Sequence, residues 1–166
     1  MESKRVISIK PSNSIYSDSE IKIIPLDPKV KPLQDKIEEV TEFLKKEYPD
    51  KEITSELFYE PKFIDPGELF EQVKCNLCGQ IVDNKDWQEK MDKSFEKSKF
   101  EDLEIIMNCC GNISSLNNLT YEWDCGFASY VISINNPDLD KDKENKIRVK
   151  LSEILGFEVK LFWSKT

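Results

Sequence analysis

Cysteines are the residues of this chain whose type and spacing most directly indicate chemistry. Cys75 and Cys78 form a C-x-x-C-G motif with Gly79, a turn in which both thiols face one point and glycine supplies the left-handed backbone. Cys109 and Cys110 are adjacent and also precede a glycine. Four thiolates around Zn²⁺ make a closed tetrahedral site without a position for water. The pattern therefore predicts a structural zinc site.

The fourth ligand and the state of the thiols have alternatives. Adjacent cysteines are an unusual ligand pair, so Cys125, which also precedes a glycine, is an alternative to Cys109 or Cys110. Buried free thiols are a second interpretation, since unpaired cysteine is often buried. A redox C-x-x-C is a third, but such a motif opens a helix, whereas residues 79–82 predict a turn into a strand. Disulfides are not expected in a reducing compartment.

The composition argues against an enzyme. The sequence contains no histidine, which excludes Ser-His-Asp and Cys-His nucleophilic pairs and histidine-ligated catalytic zinc. Only Arg5 and Arg148 are arginines, so bidentate contacts to phosphates are scarce. We find no convergent pair of carboxylates for acid–base chemistry. A non-enzymatic protein is therefore expected.

The charge and hydropathy of the chain predict its environment and its kind of partner. The formal charge is 24 − 32 = −8, with lysines interleaved among the acidic residues. An acidic balance disfavours nucleic acid and favours a basic protein partner. No stretch approaches the ~18 apolar residues of a membrane span, and the first residues lack the apolar core of a signal peptide. We expect a cytoplasmic protein without a membrane partner, and the sequence does not indicate its oligomeric state.

Two strand–helix–strand units are predicted at opposite ends of the chain. The tetrapeptide Val-Ile-Ser-Ile occurs twice, and its β-branched residues favour a strand each time. A helical apolar spacing and then an alternating apolar pattern follow each copy. The predicted elements are residues 6–9, 33–48 and 53–59 in the first unit and 131–134, 147–154 and 157–163 in the second. Together they predict an α+β fold, a split βαβ (ferredoxin-like) sandwich.

The segment between the first strand and the first helix has little periodicity. Within it, Ile21, Ile23 and Ile24 predict a short strand. Pro25 limits this strand, because proline cannot donate to a ladder and is normally confined to sheet edges. We therefore expect an edge strand there.

The middle of the chain predicts a zinc-ribbon-like β insertion that contains all five cysteines. Trp87, Met91 and Phe95 lie four residues apart, which predicts a helix over 84–97. Alternating apolar residues before Cys109 and before Cys125 predict strands around it. The expected organisation is one compact domain made of a first unit (1–66), the insertion (67–126) and a second unit (127–166).

Two sets of residues near the cysteines are candidate partner-binding sites. One set is a polar run beside the predicted metal site, because binding concentrates in polar loops on rigid scaffolds. The other is a tryptophan surrounded by acidic residues, which would be a binding hot spot if exposed and core if buried. The first set is Ser115, Asn117 and Asn118, and the second is Trp87 with Asp83 and Asp86.

Six short motifs along the middle of the chain form a pattern. They are residues 63–67 (FIDPG), 75–79 (CNLCG), 86–87 (DW), 109–111 (CCG), 115–119 (SLNNL) and 121–128 (YEWDCGFA). This pattern resembles a family of uncharacterised bacterial proteins, whose members usually have proline where this sequence has Asn76 and Asp124. The resemblance brings no established activity.

Several small acidic bacterial proteins of this general kind are immunity partners of toxins, an association that supplies a hypothesis rather than a mechanism. The sequence thus favours a non-enzymatic protein-binding module with a structural zinc site, in its sharper form an immunity-type inhibitor that covers a basic toxin. The alternative is a zinc-ribbon nucleic-acid-binding protein, which lysine-rich strands and aromatic residues would support and the interleaved acids oppose.

Overall fold

The computed structural model describes the backbone of residues 4–9 and the whole of residues 19–165. Within these residues the chain forms strands and helices in mixed order, so the predicted α+β class is confirmed. The elements are β1 (Lys4–Ile9), β2 (Ser19–Pro25), α1 (Gln34–Glu47), β3 (Ile53–Ile64), β4 (Val73–Lys74), β5 (Ile81–Val82), α2 (Asn84–Ser98), β6 (Glu104–Ile106), β7 (Ile113–Ser115), β8 (Thr120–Tyr121), β9 (Gly126–Asn135), α3 (Lys141–Leu155) and β10 (Val159–Lys165).

The main sheet has five strands in the order β1-β3-β9-β2-β10, and every neighbouring pair is antiparallel. Helices α1 and α3 contact each other and share one core with this sheet. Their apolar spacing puts Val40 and Leu151 into that core, where Ile132 of β9 meets them. On β9 the neighbouring Val131 belongs to a second apolar cluster with Phe162. Both sets of side chains of β9 are therefore buried, as is typical of a mostly apolar strand that is covered on both faces.

Strand β2 corrects the prediction of an edge strand at Ile21–Ile24. It lies inside the sheet, with β9 on one side and β10 on the other. Ile21 and Ile23 are fully buried against the helices. Pro25 does not prevent this arrangement, because it is the last residue of the strand and leaves the donors of the interior positions intact.

The two Val-Ile-Ser-Ile segments are both strands, but they do not occupy equivalent places. Residues 6–9 lie in β1, at the edge of the sheet, where Val6 pairs opposite Glu56 of β3. Residues 131–134 lie in the central strand β9. It is β2, and not residues 6–9, that leads into the first helix, so that part of the predicted order is wrong. Three β-branched residues in a run of four favour a strand, but they do not specify its neighbours.

The elements between β3 and β9 form a smaller unit that carries four of the cysteines. It contains a three-stranded sheet in the order β5-β4-β8, the hairpin β6-β7 and helix α2, which confirms the predicted helix over 84–97. A separate apolar core fills this smaller unit. Phe127 of β9 belongs to that core, and Phe63 of β3 packs against it. The smaller unit is thereby anchored to the main sheet. No helix in the described part of the chain has the length and apolar character needed to cross a membrane.

Candidate metal centre

Four cysteine side chains converge between two hairpin turns. The Sγ atoms of Cys75, Cys78, Cys109 and Cys110 all lie within 4.8 Å of one another. The separation is 4.0 Å between Cys75 and Cys110 and 3.2 Å between Cys78 and Cys109. A tetrahedral zinc ion with Zn–S bonds near 2.3 Å places its sulfur ligands ~3.8 Å apart. The four thiols are therefore spaced as the ligands of one metal ion would be.

The first turn joins β4 to β5. The N–H of Cys75 donates to the carbonyl of Gln80 (2.8 Å), and the N–H of Gly79 donates to the carbonyl of Cys75 (3.0 Å). Gly79 has a φ of +79°, a conformation that side chains with a Cβ resist. The N–H of Leu77 donates to the Sγ of Cys75 (3.4 Å), as amides in such turns do to a ligand sulfur.

The second turn joins β6 to β7 and repeats this hydrogen bonding. The N–H of Met107 donates to the carbonyl of Asn112 (2.9 Å), and the N–H of Gly111 donates to the carbonyl of Met107 (2.8 Å). Gly111 has a φ of +71°. Met107 thus stands where Cys75 stands in the first turn, and both side chains are 1% exposed. The second turn therefore supplies its additional sulfur from Cys109.

The four sulfur atoms differ in their exposure to solvent. Cys75 is buried and Cys110 is half-buried, and we call these two the inner pair. Cys78 and Cys109 are both exposed, and we call them the outer pair. The inner pair lies towards the core of the smaller unit, which includes Cys75 and is contacted by Cys110. The outer pair faces solvent at the tips of the turns.

The thiols interact strongly enough to shift one another's ionisation. Burial opposes the ionisation of Cys75, but the backbone N–H groups of Cys78 and Leu77 stabilise its thiolate and bring its pKa down to about 7. The contact with Cys78, followed by burial, raises the pKa of Cys109 to about 12. Crowded thiols therefore do not all ionise together unless a cation compensates their charge. A divalent ion among the four sulfur atoms would provide that charge.

Polar contacts fix the second turn against the rest of the smaller unit. The hydroxyl of Ser114, on β7, donates to the side-chain oxygen of Asn76 in the first turn (2.6 Å). The side-chain amide of Asn108, in the second turn, donates to the carboxylate of Asp86 on α2 (2.8 Å). Asp86 also forms an ion pair with Lys90, one helical turn later (3.4 Å). The turns are thus held in register by contacts outside the sulfur group.

Cys125, the alternative fourth ligand, lies outside this group. It is 1% exposed and packs in the apolar cluster of the main sheet that includes Phe58 and Phe162. Burial raises the pKa of its thiol to about 12. Its environment is that of a small apolar core residue with a neutral thiol.

Trp87 is a core residue. Its ring packs against Phe63 and Phe70, with ring centroids 5.6 and 5.2 Å away, and its Nε1 donates to the hydroxyl of Tyr121 (3.3 Å). Asp83 is the N-cap of α2 and accepts a hydrogen bond from the backbone of Lys85. Trp87 is therefore not an exposed aromatic within an acidic ring, because its side chain fills the interior of the smaller unit.

Ser115, Asn117 and Asn118 line a cleft of about 320 Å³ between the loop after β2 and the loop after β7. Asn117 stabilises the fold, because its side-chain oxygen accepts a hydrogen bond from the N–H of Phe127 (2.9 Å). The hydroxyl of Ser115 accepts from the N–H of Asn117 (3.2 Å). Of the three, only Asn118 is exposed. The opposite wall includes Leu26, which is also exposed.

A set of exposed aliphatic residues beside the cysteines is missed by the sequence analysis. Leu77 and Ile81 lie in and after the first turn, and they are 50% and 62% exposed. Ile106 and Ile113 flank the second turn as strand partners, and they are 63% and 62% exposed. We call these four residues the aliphatic rim. The alternation of side chains along a strand could have indicated part of this rim. Ile105 and Ser114 are buried, so their strand neighbours Ile106 and Ile113 face outwards.

The site and the fold were compared with known proteins. No family model, no curated protein and no solved structure matches the chain. The interpretation of the site therefore depends on its geometry and chemistry.

Proposed function

We propose that this chain is a non-enzymatic protein-binding module whose smaller unit is a zinc-ribbon-like insertion held by a structural zinc ion. The four convergent thiols support the structural role, because four sulfur ligands complete a tetrahedron and leave no position for water or substrate. An all-sulfur donor set favours zinc or iron over magnesium or calcium. A reducing cytoplasm, the proposed location, would keep these thiols available to a metal.

The aliphatic rim is the observation that carries the protein-binding role. The members of the aliphatic rim lie in or directly beside the two turns that the sulfur group brings together, so a metal ion would also fix the positions of these residues. Ile106 and Ile113 are cross-strand partners, and neighbouring exposed apolar residues on a rigid support are typical of protein interaction sites. The cleft with Asn118 is a second, more polar surface for a partner.

The charge of the chain supports the sharper form of the proposal, an immunity-type inhibitor of a basic toxin. A formal charge of −8 would accelerate association with a basic protein and would repel an acidic one. The same charge disfavours nucleic acid as a partner. Three lysines of α2 line a cleft of about 480 Å³, but two of them, Lys90 and Lys97, form ion pairs with Asp86 and Asp102.

The strand order supports the split βαβ interpretation of the main sheet. Helix α1 connects β2 to β3, helix α3 connects β9 to β10, and the four strands lie in the order β10-β2-β9-β3. In that arrangement each strand–helix–strand unit has a strand of the other unit inserted between its own two strands. Strand β1 extends this sheet at its β3 edge.

The proposal is tested by the metal content and by a partner assay. The purified chain should contain one equivalent of zinc, and it should protect cells when expressed together with a basic toxin encoded next to it. The double variant Leu77→Ser, Ile113→Ser should retain the metal and lose protection. Leu33→Ser is the matched control, since Leu33 is 72% exposed at the start of α1, away from the cysteine turns.

Each outcome of this test supports or contradicts one part of the proposal. Protection that is lost in the rim variant and kept in the control supports the binding role. Absence of protection by the wild-type chain contradicts the immunity role. Micromolar binding to single-stranded RNA or DNA that weakens steeply with salt would favour the nucleic-acid alternative.

A further inference from the structure

The outer pair of thiols has a geometry that the structural role of the site does not require. The Sγ atoms of Cys78 and Cys109 are 3.2 Å apart, closer than the 4.0 Å of the inner pair. A disulfide requires ~2.05 Å between sulfur atoms, so the outer pair needs the smaller displacement. Both outer residues are exposed, whereas Cys75 is buried.

The inner pair is also better protected from reagents. Cys75 accepts a hydrogen bond from the N–H of Leu77 (3.4 Å), which occupies a sulfur lone pair that an electrophile would otherwise use. It lies in the core of the smaller unit with Met107 and Val82. Oxidation of a cysteine depends on its thiolate character, on its accessibility and on a second thiol close enough to resolve the first product. In a zinc-loaded chain all four sulfur atoms would be thiolates, so accessibility and proximity distinguish the two pairs. The outer pair is the one in which both cysteine residues are exposed, whereas Cys75 is buried and Cys110 is half-buried.

We propose that Cys78 and Cys109 are a site of reversible oxidation, at which hydrogen peroxide converts the outer pair to a disulfide, so that a metal ion held by the four thiols would be released. The sulfur of one residue attacks the O–O bond, so that an S–O bond forms, the O–O bond breaks and one water leaves after protonation. The sulfur of the second residue then attacks this sulfenic acid. An S–S bond forms, the S–O bond breaks and a second water leaves.

These two reaction steps balance with hydrogen peroxide as the oxidant. Two thiols are oxidised to one disulfide, and one peroxide is reduced to two water molecules. A metal ion held by the four thiols would lose two of its ligands, and the new disulfide would then join the two turns in its place. The inner pair remains reduced. Thiol reductants reverse the disulfide and restore the ligand set.

The test treats the full chain, loaded with zinc, with one equivalent of hydrogen peroxide. Three readouts are followed: zinc release with a chromogenic indicator, the intact mass, and the pairing of cysteines by peptide mapping after alkylation. We expect release of the zinc, a loss of two hydrogen atoms from the mass, and one disulfide between Cys78 and Cys109. A thiol reductant with added zinc should restore the original metal content.

Variants separate the outer pair from the other cysteines. Cys78→Ser and Cys109→Ser should each abolish the disulfide product. Cys125→Ala should not change it, because Cys125 lies outside the sulfur group and is buried. Mapping in the wild-type chain needs no variant, so a variant that misfolds does not prevent the test.

The outcomes distinguish this proposal from the proposed function. A disulfide between Cys75 and Cys110, or between the two cysteines of one turn, overturns the proposal, and so does zinc release without any disulfide. A chain that binds no zinc would contradict the structural metal instead. The outer pair can still be mapped in that chain, and formation of the Cys78–Cys109 disulfide would then support the oxidation site on its own.

Discussion

The two turns that supply the sulfur atoms have the same backbone and different ligand positions. In each turn, the first residue donates to a carbonyl five positions later, and a glycine with positive φ donates back to the first residue. Ile81 and Ile113 follow the two turns at equivalent places, and they are equally exposed at 62%. The turns differ in where their sulfur atoms stand, since Cys109 is in the place of Leu77 and Met107 is in the place of Cys75.

This comparison shows that a turn can move a ligand without changing its hydrogen bonds. The first position of the turn points into the core, where Cys75 and Met107 are both buried. The third position points to solvent, where Leu77 and Cys109 are both exposed. Because the second turn has a cysteine at the third position, Cys109 is exposed, and together with the exposed Cys78 it forms the outer pair.

The largest expected effect comes from removing a ligand of the inner pair. Structural zinc contributes ~12 kcal/mol in small domains, so losing one ligand in four should cost about 3 kcal/mol, or about a hundredfold in Kd. We expect Cys75→Ser to lose the metal at equilibrium with a competing chelator. Cys125→Ala is the control and should keep the metal, although its cavity lowers the stability of the main sheet. Equal metal loss in both variants would contradict the ligand assignment.

The second prediction uses the equivalence of Cys75 and Met107. Cys109→Ser should weaken metal binding, because it removes the only sulfur that the third position supplies. The double variant Met107→Cys, Cys109→Ser returns the ligand to the first position, and we expect it to recover most of the affinity. Metal titration with a chromogenic competitor measures both. If the double variant binds no better than Cys109→Ser, the two turns do not place their first residues equivalently.

The third prediction concerns the glycines that close the turns. Gly79→Ala and Gly111→Ala should each lower the free energy of unfolding by about 1 kcal/mol, because alanine resists a positive φ. Open space surrounds the added Cβ at both positions, so strain and not a clash is the cause. Chemical denaturation of the metal-loaded chain measures the two costs. Unequal costs would show that the turns differ in their backbone.

An effect no larger than that of the glycines is expected from the hydrogen bond between the turns. Ser114→Ala removes the bond to Asn76 (2.6 Å) and should cost about 1 kcal/mol while leaving one equivalent of metal. Ser164→Ala is matched to it, because Ser164 is buried and donates to the carbonyl of Asp65 outside the turns. We expect only Ser114→Ala to speed metal exchange. The same exchange rate in both variants would mean that this bond does not hold the turns in register.

The sequence predicts the elements whose signal is local. The turn around Cys75 and Cys78 has a fixed spacing and a glycine, and the spacing of Trp87, Met91 and Phe95 specifies one face of α2. These signals need no information on distant residues. The sequence leaves the fourth cysteine of the metal site open, because Cys110 and Cys125 both precede a glycine. Only the position of Cys125 in the core of the main sheet separates them.

The parts that the sequence does not predict depend on long-range pairing. Pro25 indicates an edge strand, but it is the last residue of β2 and so removes no interior hydrogen-bond donor. Strand β2 lies between two strands that come more than a hundred residues later in the chain. Trp87 lies among acidic residues in the sequence, yet Phe63, from the main sheet, covers its ring. The outward orientation of Ile106 and Ile113 also needs the pairing of two strands to be known.

X-ray absorption at the zinc edge of the purified chain tests the central claim most directly. The account predicts one zinc ion per chain with four sulfur neighbours at about 2.3 Å and no nitrogen or oxygen ligand. A spectrum with three or fewer sulfur neighbours, or with a water oxygen in the first coordination sphere, would contradict a closed structural site.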